Sequence, residues 1–496
     1  MKDKNQISVV KLSDEPATEA DETPEFESIS QIWRNAIVLS VVFLVLFTAF
    51  GPVQDLQSSL FKEGGMGTTV LAILYGAFVI SGFLVVTPLI NSIGSKWTLV
   101  ISIVCYITYV AAHFHATWGV FIPAAVMAGM GAAPLWAAKG HYLNTLAHDY
   151  AKKKGVSNDA AVNLFFGVFY LFMTSSSVWG NIISSQVLTP SDANYSIAPL
   201  SAEELKLCGK AFCPQNTAGN NTNLLRPPES KLYMLAGIYT GCTCIALIIV
   251  STLLQKLPVE MHKSGGLCAK ANCKPKLLIA AFLQLKDKRQ LLLIPITIHT
   301  GLQHAFFGSD YTQAFITCSF GNWWVGYAII CYGTAGAICS LLFGKLVQFV
   351  GRIPFFTLAA AVNVTLITIY LSTDITPDNI YRYLIYAAIW GMGDSTWRTQ
   401  TLSLYGVIFR DNSEAAFSNS MLWKSMGYIT AFAYQSRLCF SIKAYILLAN
   451  LGLGMIGYFT VEYIEYRKCR AAYKFGTAKE RKKDVQLSFM AYVDLP

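Results

Sequence analysis

The chain has 496 residues and a formal net charge of +9, with 54% hydrophobic, 13% aromatic and only 14% charged residues. A soluble chain of this length would form three or four domains carrying roughly 25% charge. That excludes a soluble assembly, a disordered chain, a collagen and a disulfide scaffold, and leaves an integral membrane protein. No Asp, Glu, Lys or Arg stands between Arg34 and Asp55, Glu63 and Lys96, Lys96 and Lys139, or Asp159 and Asp192. These runs are continuously apolar rather than alternating, so they predict membrane helices and not barrel strands.

Residues 1–33 carry seven acids between Asp14 and Glu27 and no apolar core, which predicts a disordered cytoplasmic tail rather than a signal peptide. The apolar runs then predict an all-α protein of twelve transmembrane helices, at about 35–54, 70–90, 97–115, 119–140, 162–187, 232–254, 290–307, 323–343, 353–371, 382–406, 418–436 and 443–462. The tenth and eleventh are interrupted by charge. Six spans fill an N-terminal half at 34–255 and six a C-terminal half at 290–464, joined by a basic linker at 256–289. A basic tail follows at 465–496. Of the 38 Lys and Arg, 27 fall on the side shared by both termini and the linker, which the positive-inside bias makes cytoplasmic. The net charge is thereby a matter of topology, and nucleic acid is not an expected partner.

The loop between the fifth and sixth spans, about 188–231, falls on the opposite side. It holds two sequons, Asn194-Tyr-Ser196 and Asn220-Asn-Thr222, which predict glycosylation of an extracellular loop. A third, Asn363-Val-Thr365, sits inside the ninth span and is expected to be sterile. Cys208 and Cys213 lie in the same loop and are candidates to pair with each other, with Cys318 and Cys439 also near that face.

Other motifs point away from chemistry. Gly452-Leu-Gly454-Met-Ile-Gly457 spells a dinucleotide fingerprint but follows no strand, so close helix packing is expected of it, as of Gly237-x-x-x-Gly241. His299 and His304 lie five apart, about 140° round a helix, and do not make a metal face. Cys268 and Cys273 lack the further ligands of a zinc site. No nucleophile–base pair or Walker loop occurs, so no catalytic residue, metal or cofactor is expected.

An internal repeat supports the two halves. Leu89-Ile-Asn-Ser-Ile-Gly94-Ser-Lys96 follows the second span and Leu346-Val-Gln-Phe-Val-Gly351-Arg352 the eighth, each with Gly before a base. This resembles the major facilitator superfamily, though the acid of its loop signature is replaced by Gln348 and Asn91.

Across about 34–464 the chain also resembles the Unc-ninety-three family within that superfamily. The likeness rests on Leu56-Gln-Ser-Ser-Leu60, Leu74-Tyr-Gly76, Gly131-Ala-Ala-Pro-Leu-Trp136, Phe166-Gly167 and Ser176-Ser-Val-Trp-Gly-Asn181-Ile-Ile-Ser-Ser185. Gly393-Asp-Ser-x-Trp397 with Gln400, and Ala415-Ala-Phe-Ser-Asn419 with Leu422-Trp423, continue it in order. The resemblance implies an ancillary regulatory or trafficking subunit of an ion channel, a two-pore potassium channel among them, or of a receptor. The alternative is a secondary transporter of a small solute, an anionic one being favoured by bases within spans. Lys139 and Lys424 depart from the family pattern, which has a neutral residue and an acid there, and Arg398 is unusually basic.

The expected cavity or partner contacts are Trp136, Lys139, Trp179, Asn181, Asp394, Trp397, Arg398, Gln400, Trp423 and Lys424. Asp394 and Arg398, four apart, share a helix face, with Lys424 at similar depth on the next helix. The expected residence is the plasma membrane rather than the endolysosome, with another membrane protein and the lipid bilayer as partners.

Overall fold

The computed structural model describes residues 28–61, 63–156, 158–189, 201–215, 221–224, 226–257, 283–376, 379–409 and 413–475. Among these residues all regular structure is helical, and twelve long rods carry the fold. They are α1 (Ile29–Leu60), α2 (Met66–Leu84), α3 (Val86–Ala111), α4 (Trp118–Lys154), α5 (Asn158–Leu188) and α6 (Glu229–Thr252). After the linker come α7 (Lys288–Phe320), α8 (Trp323–Val350), α9 (Ile353–Ser372), α10 (Ile380–Ile408), α11 (Ser413–Gln435) and α12 (Phe440–Phe475). Ten of them are long and apolar enough to cross a membrane. The other two, α10 and α11, have the length, but polar residues such as Asp394, Arg398 and Lys424 dilute their apolar runs.

The repeat seen in sequence is a repeat in backbone. Gly94 has φ 78° and ψ 169°, and Gly351 has φ 77° and ψ 177°. That region is open essentially to glycine alone, so both corners need the residue they have. The base after each corner is tied in the corresponding way. Lys96 donates to the Ser251 carbonyl near the end of α6 at 2.8 Å, and Arg352 donates to Glu462 of α12 at 2.5 Å.

Within the first six rods, α1 packs on α5 and α6, and α4 on α2 and α3; within the last six, α7 packs on α11 and α12, and α8 on α10. The two sets meet along α5–α8 and α2–α11. Gly454 and Gly457 do bring α12 against Ile296 and Leu292 of α7, the close approach expected in a lipid-soluble bundle. Gly241 of α6, by contrast, faces open space, so the Gly237–Gly241 pair is not an internal packing motif.

The seventh rod departs from the expected 290–307. It continues through a π-helical stretch, Phe306–Thr317, as far as Phe320. Asp310 does not end the helix because Lys443 of α12 neutralises it at 2.7 Å, with both side chains no more than 2% exposed. A buried acid with a buried base satisfies what a lone charge in lipid could not.

Candidate functional site

The seam between the two sets of rods is closed on the face that bears the 188–231 loop. There Ser59 of α1 shares a hydrogen bond with Thr317 of α7 at 3.2 Å, and Gln313 donates to the Ser58 carbonyl at 3.2 Å. On the other flank Gly326 of α8 lies so close to the Asn181 carbonyl and the Ser185 hydroxyl of α5 that a methyl group would collide with both. Small residues let these backbones meet. The segments 56–60 and 176–185 thus form the seam itself. Deeper in, Tyr75 of α2 stacks on Tyr428 of α11 with centroids 4.3 Å apart.

Below the stacked tyrosines, four polar side chains converge on Asp394, which is 1% exposed. Gln303 donates to one carboxylate oxygen, while the Tyr332 hydroxyl and the Arg398 Nε each reach the other at 2.5 Å. His304 Nδ1 lies 3.8 Å from the same oxygen and 2.9 Å from the tyrosine hydroxyl. Arg398 also donates to Tyr332 at 3.2 Å. The guanidinium side chain remains 47% exposed, so the cluster is open on one side and buried on the other. Lys424 is half-buried with its ammonium 5.9 Å from the Tyr428 ring, within electrostatic reach of Arg398 and Asp394. Across the seam, Asp55 of α1 lies beside Asn181 and feels Arg398. Neither Lys424 nor Asp55 takes part in a salt bridge among the described residues.

Lys139 is held differently. It is 4% exposed, and its ammonium lies 4.7 Å from the ring centre of Phe169, 5.0 Å from Trp136, and 5.3 Å from Phe166 and from Tyr170. Cation–π attraction replaces an acid as its partner. Trp136 in turn packs on Phe43 and Phe47 of α1.

The remaining expected residues are not brought together. Trp397 is fully buried away from the Asp394 cluster, its indole donating to Asn363 at 2.7 Å and its ring edge-on to His299 at 5.1 Å. It is a core residue, because a buried indole N–H needs an acceptor and finds one on α9. The same contact seals the sequon at Asn363, which is fully buried. Gln400 is 5% exposed, and Trp423 is half-buried on α11. Trp179 is 57% exposed and Asn181 wholly buried, so the two look to opposite sides of α5.

The Cys208–Cys213 pairing is overturned. Cys208 is bonded to Cys318 at the end of α7, and Cys213 to Cys439 just before α12. A short helical turn, Gly209–Ala211, separates the two loop cysteines and presents each to a different rod end. Asn194, Asn220, Cys268, Cys273 and most of both tails lie outside the described residues.

Sequence reading missed Asp55, Gln303, His304, Tyr332 and the Asp310–Lys443 pair. The available signal was polar residues inside apolar runs; Asp55, Asp310 and Lys443 had passed for span boundaries.

Residues 63–459 match the family described as "Ion channel regulatory protein UNC-93". Protein unc-93 homolog A of Xenopus laevis is 42% identical over 87% of this chain and 94% of its own, and that of Homo sapiens 38% identical over 87% and 93%. A Caenorhabditis elegans relative named "Putative potassium channel regulatory protein unc-93" is 32% identical over 88% of this chain and 62% of its own. The bundle has the fold of solved transporters. The nucleoside transporter NupG superposes with a TM-score of 0.56 at 12% identity, covering 86% of this chain and 98% of its own. For a peptide transporter, POT, the values are 0.54, 9%, 86% and 94%. With its family pattern and its relatives matched over most of their length, this multi-pass membrane protein belongs to the UNC-93 family.

Proposed function

We propose that the protein is an ancillary subunit that regulates or escorts an ion channel, a potassium channel by one relative's name, rather than an enzyme. The observation that carries this reading is family membership, since a relative at 32% identity is named for potassium channel regulation. The site supports it: Asp394 and Arg398 neutralise each other across a polar network instead of presenting an open charge. Trp179, large, rigid and 57% exposed, offers a contact to a partner in the membrane. Co-purification of a two-pore potassium channel from native membrane, with altered channel current on co-expression, tests it. Absence of both effects across such channels overturns it.

A second reading is a transporter of a small anionic solute, favoured by Lys424, which has no salt bridge among the described residues, and by the half-exposed Arg398. Gradient-driven uptake into liposomes decides between the two. Both readings place the termini in the cytoplasm of a plasma-membrane protein glycosylated at Asn194 or Asn220. Disulfides on the loop face agree with that orientation, because such bonds persist in oxidising compartments. A glycosidase shift in gel mobility and surface access to a tag in the loop test it.

A further inference from the structure

The loop joining α5 to α6 belongs to the N-terminal half in sequence, yet its described parts from 208 to 223 are built onto the C-terminal half, while Arg226 lies over the Phe61 ring at 5.5 Å. Cys208 and Cys213 are bonded to Cys318 and Cys439, across 110 and 226 residues of sequence. Between them Phe212, 2% exposed, accepts at its carbonyl from the Phe440 amide at 2.8 Å, and Lys210 accepts from Ser441 at 2.5 Å. Lys210 also pairs with Asp374, just beyond α9, at 2.8 Å. Asn221 and Asn223 donate to the carbonyls of Cys318 and Ser319 at 2.9 and 3.0 Å. Three rods of the second half, α7, α9 and α12, therefore hold this loop.

We propose that the two disulfides make this loop a clasp that keeps the halves closed on the loop face. From the seated Leu224 to the start of α6 at Glu229 the chain has five residues, about 17 Å when fully extended. That leash limits how far α6 can swing from α7 while the loop stays seated. Asn221, which donates to the Cys318 carbonyl at 2.9 Å and lies 3.6 and 3.4 Å from the two sulfurs of the Cys208–Cys318 bond, builds that seat on the disulfide, and the Ser59–Thr317 and Gln313–Ser58 contacts close the seam beneath it. Rocking of one half against the other, the motion by which this class of bundle alternates access, is then restrained on one face. Reduction removes the covalent part of that seat and leaves the Lys210–Asp374 pair and the hydrogen bonds to hold it alone. The inference rests on the bundle and not on the channel reading, so loss of channel association with an intact clasp sinks only that reading.

Two measurements test it on the folded, full-length protein. A protease site placed in the linker at 256–289 is cut in detergent, and the product is run with and without reductant. One band of full mass without reductant, and two half-sized bands with it, are expected. Halves that separate without reductant overturn the connectivity. Spin labels are then attached through non-cysteine chemistry at the exposed Glu229 and Ser372. A narrow distance distribution is expected in the oxidised protein, broadening toward longer separations on reduction. The quadruple variant with Cys208, Cys213, Cys318 and Cys439 each changed to Ser should behave like the reduced protein. Should that variant not fold, reduction of the folded wild type carries the test alone. A distribution unmoved by reduction overturns the clasp even if the bonds are present.

Discussion

Lys139 and Arg398 are both bases inside apolar rods, and the chain holds them by opposite means. Lys139 is dry, ringed by four aromatic faces at 4.7–5.3 Å, with no salt bridge among the described residues. Arg398 is half-exposed and fastened to a buried carboxylate at 2.5 Å, through a network that draws on α7, α8 and α10. An aromatic cage adds no second charge that must itself be solvated, so it holds a cation without binding its neighbours into the bargain. A carboxylate shared by Gln303, Tyr332 and Arg398 does the reverse. Disturbing it is felt on three rods at once. The first half therefore carries a contained charge, and the second a connected one.

That contrast can be broken most severely at Asp394. Asp394→Asn leaves Arg398 without its anion and is expected to destabilise by about 2.5 kcal/mol, the low end for a charge in mid-membrane because Arg398 is 47% exposed. Thermal unfolding in detergent should show the drop, and the swap of Asp394→Arg with Arg398→Asp should recover part of it. Unchanged melting in the single variant would show the network to be dispensable.

A steric rather than electrostatic break comes next. Gly326→Leu forces side-chain volume into the α5–α8 seam against Asn181 and Ser185, and overpacking of this kind costs about 1–3 kcal/mol. The loss should appear in melting and in faster proteolysis at the loop face, while Gly241→Leu, at an open position, should do neither.

Lys139→Met sharpens the other side of the comparison. Losing a cation–π attraction of about 0.5–2 kcal/mol is offset by no longer burying a charge, so stability should change by less than about 1 kcal/mol. A large loss would mean the cage holds more than an isolated ammonium. Trp179→Leu should move stability least, within about 0.5 kcal/mol, since the side chain is mostly exposed. Pull-down of a channel partner should nonetheless fall; equal loss of surface expression and association would mark Trp179 as a packing residue.

Much of the bundle was legible because lipid is a strict solvent. Charge-free runs mark rods wherever no internal partner excuses a charge, and the Gly-base corners at Gly94 and Gly351 mark the repeat because that backbone admits little else. Legibility failed where charges do find partners. Asp310 looked like an end and is the middle of α7, because its base lies 133 positions away on α12. The candidate site was half readable. The spacing of Asp394 and Arg398 is local, but His304, Tyr332 and Asp55 reach the cluster only through packing of separate rods. Trp397 and Trp179 show the converse: a motif residue beside a site can serve the core or face outward. The disulfide partners were open for the same reason, since four cysteines near one face allow several pairings.

The wide sequence separation of those bonds also has a bearing on how the chain is made. Cys208 and Cys213 leave the ribosome long before Cys318, and Cys439 emerges only ahead of the final helix. Cys208 must wait for α7, and Cys213 while most of the second half is synthesised and threaded. Neither native bond can form until rods from both halves stand side by side. An intact Cys213–Cys439 bond is consequently a mark of completed assembly, and a free thiol at Cys213 marks a copy whose second half has failed to dock.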